Sequence, residues 1–231
     1  MGKQLRIWLF VLLGTLLTST SLLAEGIITM TTSKAIGEKI LLGILAKGDI
    51  AIDGALETGE MNEDGFKFYT IKSQTITIRG DVTELDCNEN QLTSLDLSQN
   101  TALTKLDCSW NLLTSLDVSK SAALEILYCN DNKLTNLDVS KNTALDLLFC
   151  SNNKLTNLNM SGCARLRVIA CDSNYIKGKA MTKLVNCLPN RRGMYCGTIF
   201  LVDSSSKKSD KNRCSAADVA TAKRKNWKVL K

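Results

Sequence analysis

Residues 83–166 divide into four stretches of 21 residues that align without a gap: TELDCNENQLTSLDLSQNTAL, TKLDCSWNLLTSLDVSKSAAL, EILYCNDNKLTNLDVSKNTAL and DLLFCSNNKLTNLNMSGCARL. A fifth opens at residue 167 with RVIACDSNYI. So strict a period excludes most folds. A unit of this length cannot bury its own apolar residues, so it must stack on copies of itself around one continuous core. Stacking turns repeated positions into columns. Leu85, Leu106, Leu127, Leu148 and Ile169 form one, and Cys87, Cys108, Cys129, Cys150 and Cys171 the next.

The shared frame, L-x-x-L-x-C-x-x-N-x-L, is a leucine-rich repeat whose second strand position is cysteine. The expected fold class is an α/β-type repeat solenoid. It is a leucine-rich repeat array of 21-residue units with a β-rich N-terminal cap and a small α+β C-terminal cap. Parallel strands stack about 4.8 Å apart, close enough for a disulfide. Ladder side chains all point the same way, however, and five members cannot all pair. No C-x-x-C occurs, so zinc spacing is absent as well. The cysteines are expected to be buried, unreactive fillers of the core. Asn90, Asn111, Asn132, Asn153 and Asn174 are expected to bond the turn backbone of neighbouring repeats. Asp96, Asp117 and Asp138 form a further column with Asn159 in the fourth line. Stacked carboxylates are calcium chemistry, but Asp and Ser in turns bond local backbone and Asn159 breaks the charge. No metal is expected.

The first residues, MGKQLRIWLFVLLGTLLTSTSLLAEG, place Lys3 and Arg6 before an apolar run from Ile7 to Leu17 and then small and polar residues. That is the layout of a signal peptide, expected over residues 1–24. The run is too short to span a bilayer and no later stretch approaches about 18 apolar residues, so no transmembrane segment is expected. The expected division is then a β-rich N-terminal cap at 25–82, the repeats at 83–174 and a basic C-terminal cap at 175–231. Charge is split along the chain. Residues 25–174 hold 13 Lys/Arg and 20 Asp/Glu (−7), and residues 175–231 hold 14 and 3 (+11).

In the N-terminal flank, GIITMTT, KILLGILA, DIAIDG, FKFYTIK and TITIRG alternate as short strands between Gly, Asn and Asp. The C-terminal flank predicts a helix around 178–188 stopped by Pro189, a strand in GTIFLVD, and a helix over AADVATAKRKN leading to WKVL. Cys187, Cys196 and Cys214 fall outside the 21-residue register. One disulfide among them is expected in an oxidising compartment, its pairing left open by the sequence. Cys163 replaces an asparagine of a turn column and is expected to stay unpaired.

The pattern C-x-x-N-x-L-T-x-L-D-V-S-x-N-T-A-L over residues 83–174 resembles the cysteine-containing repeats of internalin J. It resembles more closely the short surface repeat proteins of the Bacteroidota. The flanks TITIRGDVTELDC and LVNCLPNRRGMYCGTIFLVD…NWKV look like the Bacteroidota group too. The resemblance implies recognition of proteins at a cell surface.

Catalysis needs a nucleophile beside a base, paired carboxylates in a cleft, or a metal. The chain has no histidine, no Gly-rich phosphate loop and no thiol in an activating motif, so no catalytic residue and no cofactor are expected. The basic flank lacks the interleaved aromatics that stack bases, and nucleic acid is not an expected partner. The expected function is a secreted or cell-surface module, with the periplasm as a further location, that binds a protein ligand through the concave face of the solenoid. The alternative is an envelope protein held to lipopolysaccharide or another acidic polymer by its basic cap. On the strands, residues beside the inward leucine and cysteine face outward. Those columns read Glu84, Lys105, Ile126, Leu147, Val168 and Asp86, Asp107, Tyr128, Phe149, Ala170. Ile126, Tyr128, Leu147 and Phe149, with Trp110 in the adjoining loop, are the expected partner-binding residues.

Overall fold

The computed structural model describes residues 26–202 and 210–230; the expected leader lies outside them. Six strands precede the repeats: β1 Ile27–Thr32, β2 Lys39–Ala46, β3 Ala51–Asp53, β4 Ala55–Met61, β5 Lys67–Ile71 and β6 Thr75–Arg79. The repeats supply β7 Val82–Asp86, β8 Leu92–Asp96, β9 Lys105–Asp107, β10 Ile126–Tyr128, β11 Asn136–Asp138, β12 Leu147–Phe149, β13 Asn157–Asn159 and β14 Val168–Ala170. Helix α1 Lys179–Cys187, β15 Gly197–Phe200, helix α2 Ala216–Arg224 and β16 Trp227–Leu230 complete the chain.

The 21-residue period is realised as parallel pairing. Strands β7, β9, β10, β12 and β14 lie side by side in register, with Leu85 opposite Leu106, Leu106 opposite Leu127, Leu127 opposite Leu148 and Leu148 opposite Ile169. Each leucine of that column is at most 1% exposed, and each ladder cysteine is 0% exposed. The second half of each unit builds the opposite wall, where β11 pairs β13 in parallel. The chain is a leucine-rich repeat solenoid.

The N-terminal cap is built as two antiparallel sheets, one for each wall. On the long-sheet side β2 pairs β7, followed by β5 and β4. On the other side β1 pairs β8, followed by β6 and β3. Period-two alternation in these strands turns Ile28, Met30, Ile40, Leu42, Ile76 and Ile78 inward, and all are at most 1% exposed. The core of the cap therefore runs straight into that of the repeats.

At the other end the long sheet does not stop at the fifth repeat. Strand β15 pairs β14 in parallel with Ile199 opposite Ile169, and β16 pairs β15 with Val229 opposite Ile199. Leu201 is fully buried two residues after Ile199, as the cysteines are after their leucines. The amide that follows arrives late, at Asn212. Its Nδ2 donates to Cys171 O at 2.8 Å and to Leu201 O at 2.8 Å, and its Oδ1 accepts from Ile176 N at 2.7 Å. Asn212 thus stands in the asparagine column across an insertion, a position that the 21-residue frame alone did not reveal. Helix α1 takes the place of a wall strand, burying Met181, Leu184 and Val185.

Candidate functional site

Two internal ladders hold the sheet rigid beneath its outer surface. Asn153 shows the amide ladder: Nδ2 donates to Cys129 O (2.9 Å) and Cys150 O (3.2 Å), and Oδ1 accepts from Leu134 N (2.9 Å). Asn111, Asn132 and Asn174 repeat the pattern, and Asn90 turns it onto the cap through Leu41 O and Leu41 N. These bonds tie each repeat to both neighbours, as their side chains had been expected to do.

The cysteine ladder is made of free thiols. Burial pushes all five well up from the ordinary thiol range, and neighbouring acidic groups push the same way. Three donate weakly to the next strand, with Cys87 Sγ at 3.4 Å from Asp107 O, Cys108 Sγ at 3.5 Å from Tyr128 O and Cys171 Sγ at 3.5 Å from Phe200 O. Cys163 takes over an asparagine's work in a second column. Asn142 donates to Val118 O and Ser121 O; one turn on, Cys163 Sγ donates to Val139 O at 3.1 Å and Asn142 O at 3.5 Å. Its burial raises that thiol to about 12. The reactive form is the thiolate, so native alkylation should spare these six cysteines and label only Cys187, Cys196 and Cys214. Mass spectrometry should count three adducts on the folded protein and nine after denaturation; labelling of any ladder cysteine in the folded state would contradict the burial.

Cys187 and Cys196 are free thiols as well, and the geometry explains why Cys187 and Cys214 do not meet. Thr182 Oγ1 bonds Asp218 Oδ1 at 2.9 Å, while Lys225 Nζ bonds Asn186 O and Leu188 O. The two helices therefore run in the same direction. Cys187 closes α1, whereas Cys214 precedes α2 at the opposite end.

Register then fixes what the long sheet shows to the outside. Going along it, one outward column is Glu84, Lys105, Ile126, Leu147, Val168, Thr198 and Lys228; the other is Asp86, Asp107, Tyr128, Phe149, Ala170, Phe200 and Leu230. Ile126, Tyr128, Leu147 and Phe149 are brought together as the sequence implied. They are half-buried rather than fully open, because neighbours cover one another: the Tyr128 and Phe149 rings stack at 4.9 Å between centroids, tilted by 19°. The C-terminal segment prolongs this face, adding Phe200, 36% exposed.

Beside the apolar band lies an acidic end. Burial raises the Asp86 carboxyl above its usual range, and Asp107 adds to the rise while Asn88 counters it. A cavity of about 230 Å³ opens here, lined among others by Asp64, Phe66, Glu84, Asp86 and Lys105. Its Phe66 wall depends on Gly43, where a Cβ would come within 2.6 Å of the ring. Trp110 stands just past β9, 58% exposed. The backbone there is left-handed, as at the equivalent Glu89, Asp131, Asn152 and Ser173, with φ between 52° and 55°. Asn and Asp accept that conformation readily, whereas a tryptophan pays about 1–2 kcal/mol for it.

The aspartates of the opposite wall are turn formers. Asp96, Asp117 and Asp138 each accept the N–H of the serine two residues on, at 2.8 Å. Among the described residues no group of three His, Cys, Asp or Glu side chains is placed to hold a metal ion, and no helix is long and apolar enough to cross a membrane.

The fold and ladders define a leucine-rich repeat protein with an internal cysteine ladder. Comparison with protein-family models finds no match, and comparison with curated proteins finds none either. Among solved structures, the chain is similar to the functional domain of InlJ from Listeria monocytogenes, which includes a cysteine ladder. Identity there is 35% at a TM-score of 0.44, covering 52% of this chain and 26% of that one. The leucine-rich repeat ectodomain of the receptor kinase SOBIR1 from Arabidopsis thaliana is 21% identical at a TM-score of 0.39, over 54% of this chain and 70% of that one. An internalin, inlF, from Listeria monocytogenes is 18% identical at a TM-score of 0.37, over 62% of this chain and 45% of that one. The chain spans about a quarter of the length of the InlJ chain it matches.

Proposed function

We propose that this protein is a recognition module that binds a protein ligand with the outward face of its long sheet, and that it works outside the cell or at the cell surface. The carrying observation is the contiguous apolar band Ile126, Tyr128, Leu147 and Phe149 on the outward face of the long sheet, between the acidic and lysine positions at its start and Thr198 and Lys228 at its end. Apolar residues scattered over a surface mean little, but a contiguous band does not repay its exposure in the free protein. Two further features support the reading. The stacked Tyr128–Phe149 pair is ordered before any ligand arrives, which lowers the entropy lost on binding. Trp110 occupies a strained position where asparagine would cost less, and its ring stays outside the core. Placement outside the cell rests on the leader-like first 24 residues.

The test is capture of a protein ligand from host-cell and bacterial-envelope extracts at physiological salt. The double variant Tyr128→Ala/Phe149→Ala should retain at least tenfold less of the captured ligand, about 1.4 kcal/mol. Its melting temperature should hardly move, since neither ring is in the core. Unchanged capture by the folded variant would reject this face as the binding surface.

A further inference from the structure

The largest apolar exposure in the described residues lies away from that face. Tyr195 is 93% exposed and its neighbour Met194 is 63% exposed. Neither hangs on a loose strand of chain. Residues 191–194 form a turn closed by Met194 N donating to Arg191 O at 3.0 Å, with Gly193 at φ 78°, a conformation that suits glycine. Arg191 itself is only 6% exposed and works as a staple. Its Nη1 donates to Leu166 O and its Nε to Tyr195 O, both at 3.0 Å. From the other side Asn226 Nδ2 donates to Arg191 O and Met194 O, again at 3.0 Å. A buried arginine and an amide thus hold out two large side chains that contribute nothing to the core.

Cations lie in and beside this turn. Arg192 lies in the turn, with its Nε donating to Arg224 O at 2.8 Å at the end of α2. Arg192, Lys223 and Arg224 are exposed. The two segments that meet here, residues 184–202 and 219–231, contain no Asp or Glu. A tyrosine and a methionine on a projecting turn, with positive charge beside them, match an interface that is anionic outside and apolar just beneath. A protein surface would need a pocket shaped to receive the tip, whereas a lipid interface needs none.

We propose that the 191–196 turn is a peripheral docking element for an anionic lipid surface. Arg192, Lys223 and Arg224 meet headgroup phosphates, while Met194 and Tyr195 enter the boundary between headgroups and acyl chains. Docking through this tip is separate from ligand binding on the long sheet.

The experiment is co-sedimentation of the whole protein with vesicles of phosphatidylcholine mixed with phosphatidylglycerol, and with vesicles of phosphatidylcholine alone. The wild type should partition onto the mixed vesicles and not onto the neutral ones, and added salt should weaken it. Met194→Ser/Tyr195→Ser should reduce partition at least about tenfold while leaving the charge unchanged. Arg192→Gln/Arg224→Gln should reduce it as well, and Tyr128→Ala/Phe149→Ala should leave it intact. Equal partition of Met194→Ser/Tyr195→Ser and wild type would overturn the proposal. So would wild-type binding to soluble dextran sulfate without partition onto the mixed vesicles, which would assign the cations to an acidic polymer instead.

Discussion

Asn153→Ala should lower the stability of the folded protein by about 1–3 kcal/mol. One amide satisfies the carbonyls of Cys129 and Cys150 and the N–H of Leu134. Asn153 is only 5% exposed, and although Asn132 and Asn174 still donate to the carbonyls of Cys129 and Cys150, truncation leaves the Leu134 N–H without a partner in a place poor in water. Each buried polar group left unpaired costs about 1–3 kcal/mol. The loss should appear in a urea titration as a lower midpoint. Since Asn153 joins its own repeat to the preceding one, its loss should also reduce cooperativity along the array. A loss below about 1 kcal/mol would show that water replaces the amide and that the ladder is not what couples the repeats.

Deleting residues 175–231 should be more damaging still. That segment supplies β15, which pairs β14, and Asn212, which satisfies Cys171 O. It also covers Leu166 and Ile169, both fully buried in the intact chain. An uncapped solenoid end exposes both a row of backbone donors and acceptors and the open core, so aggregation or fraying of the last repeat should follow. Size-exclusion chromatography with light scattering and a thermal melt would read the outcome. A monomeric truncation with an unchanged melting temperature would mean that the segment is a dispensable tail.

What was legible in the sequence lies where local pattern and long-range contact carry the same information. In the repeats, a residue's neighbour across the sheet is its own counterpart 21 positions away. Leu127 could therefore be set against Leu106 and Leu148, Cys129 placed in the core, and Ile126, Tyr128, Leu147 and Phe149 placed together on the outer face by counting alone. The thiols' inertness followed from the same placement, since desolvation of a buried thiol needs no knowledge of its exact neighbours.

Only the tertiary structure decided what happens where the period ends. The N-terminal strands were visible as alternating runs, but nothing local says that β2 docks on β7 while β1 docks on β8, dividing the cap between two walls. Antiparallel partners far apart in the chain are chosen by the fit of whole surfaces. Asn212 was hidden because it joins its ladder 41 residues after Cys171 accepts its bond, where the regular amides reach back 24. The projecting Met194 and Tyr195 were hidden for a related reason. Their exposure is imposed by Arg191 and Asn226, whose partners come together only once the last strands have been laid on the sheet.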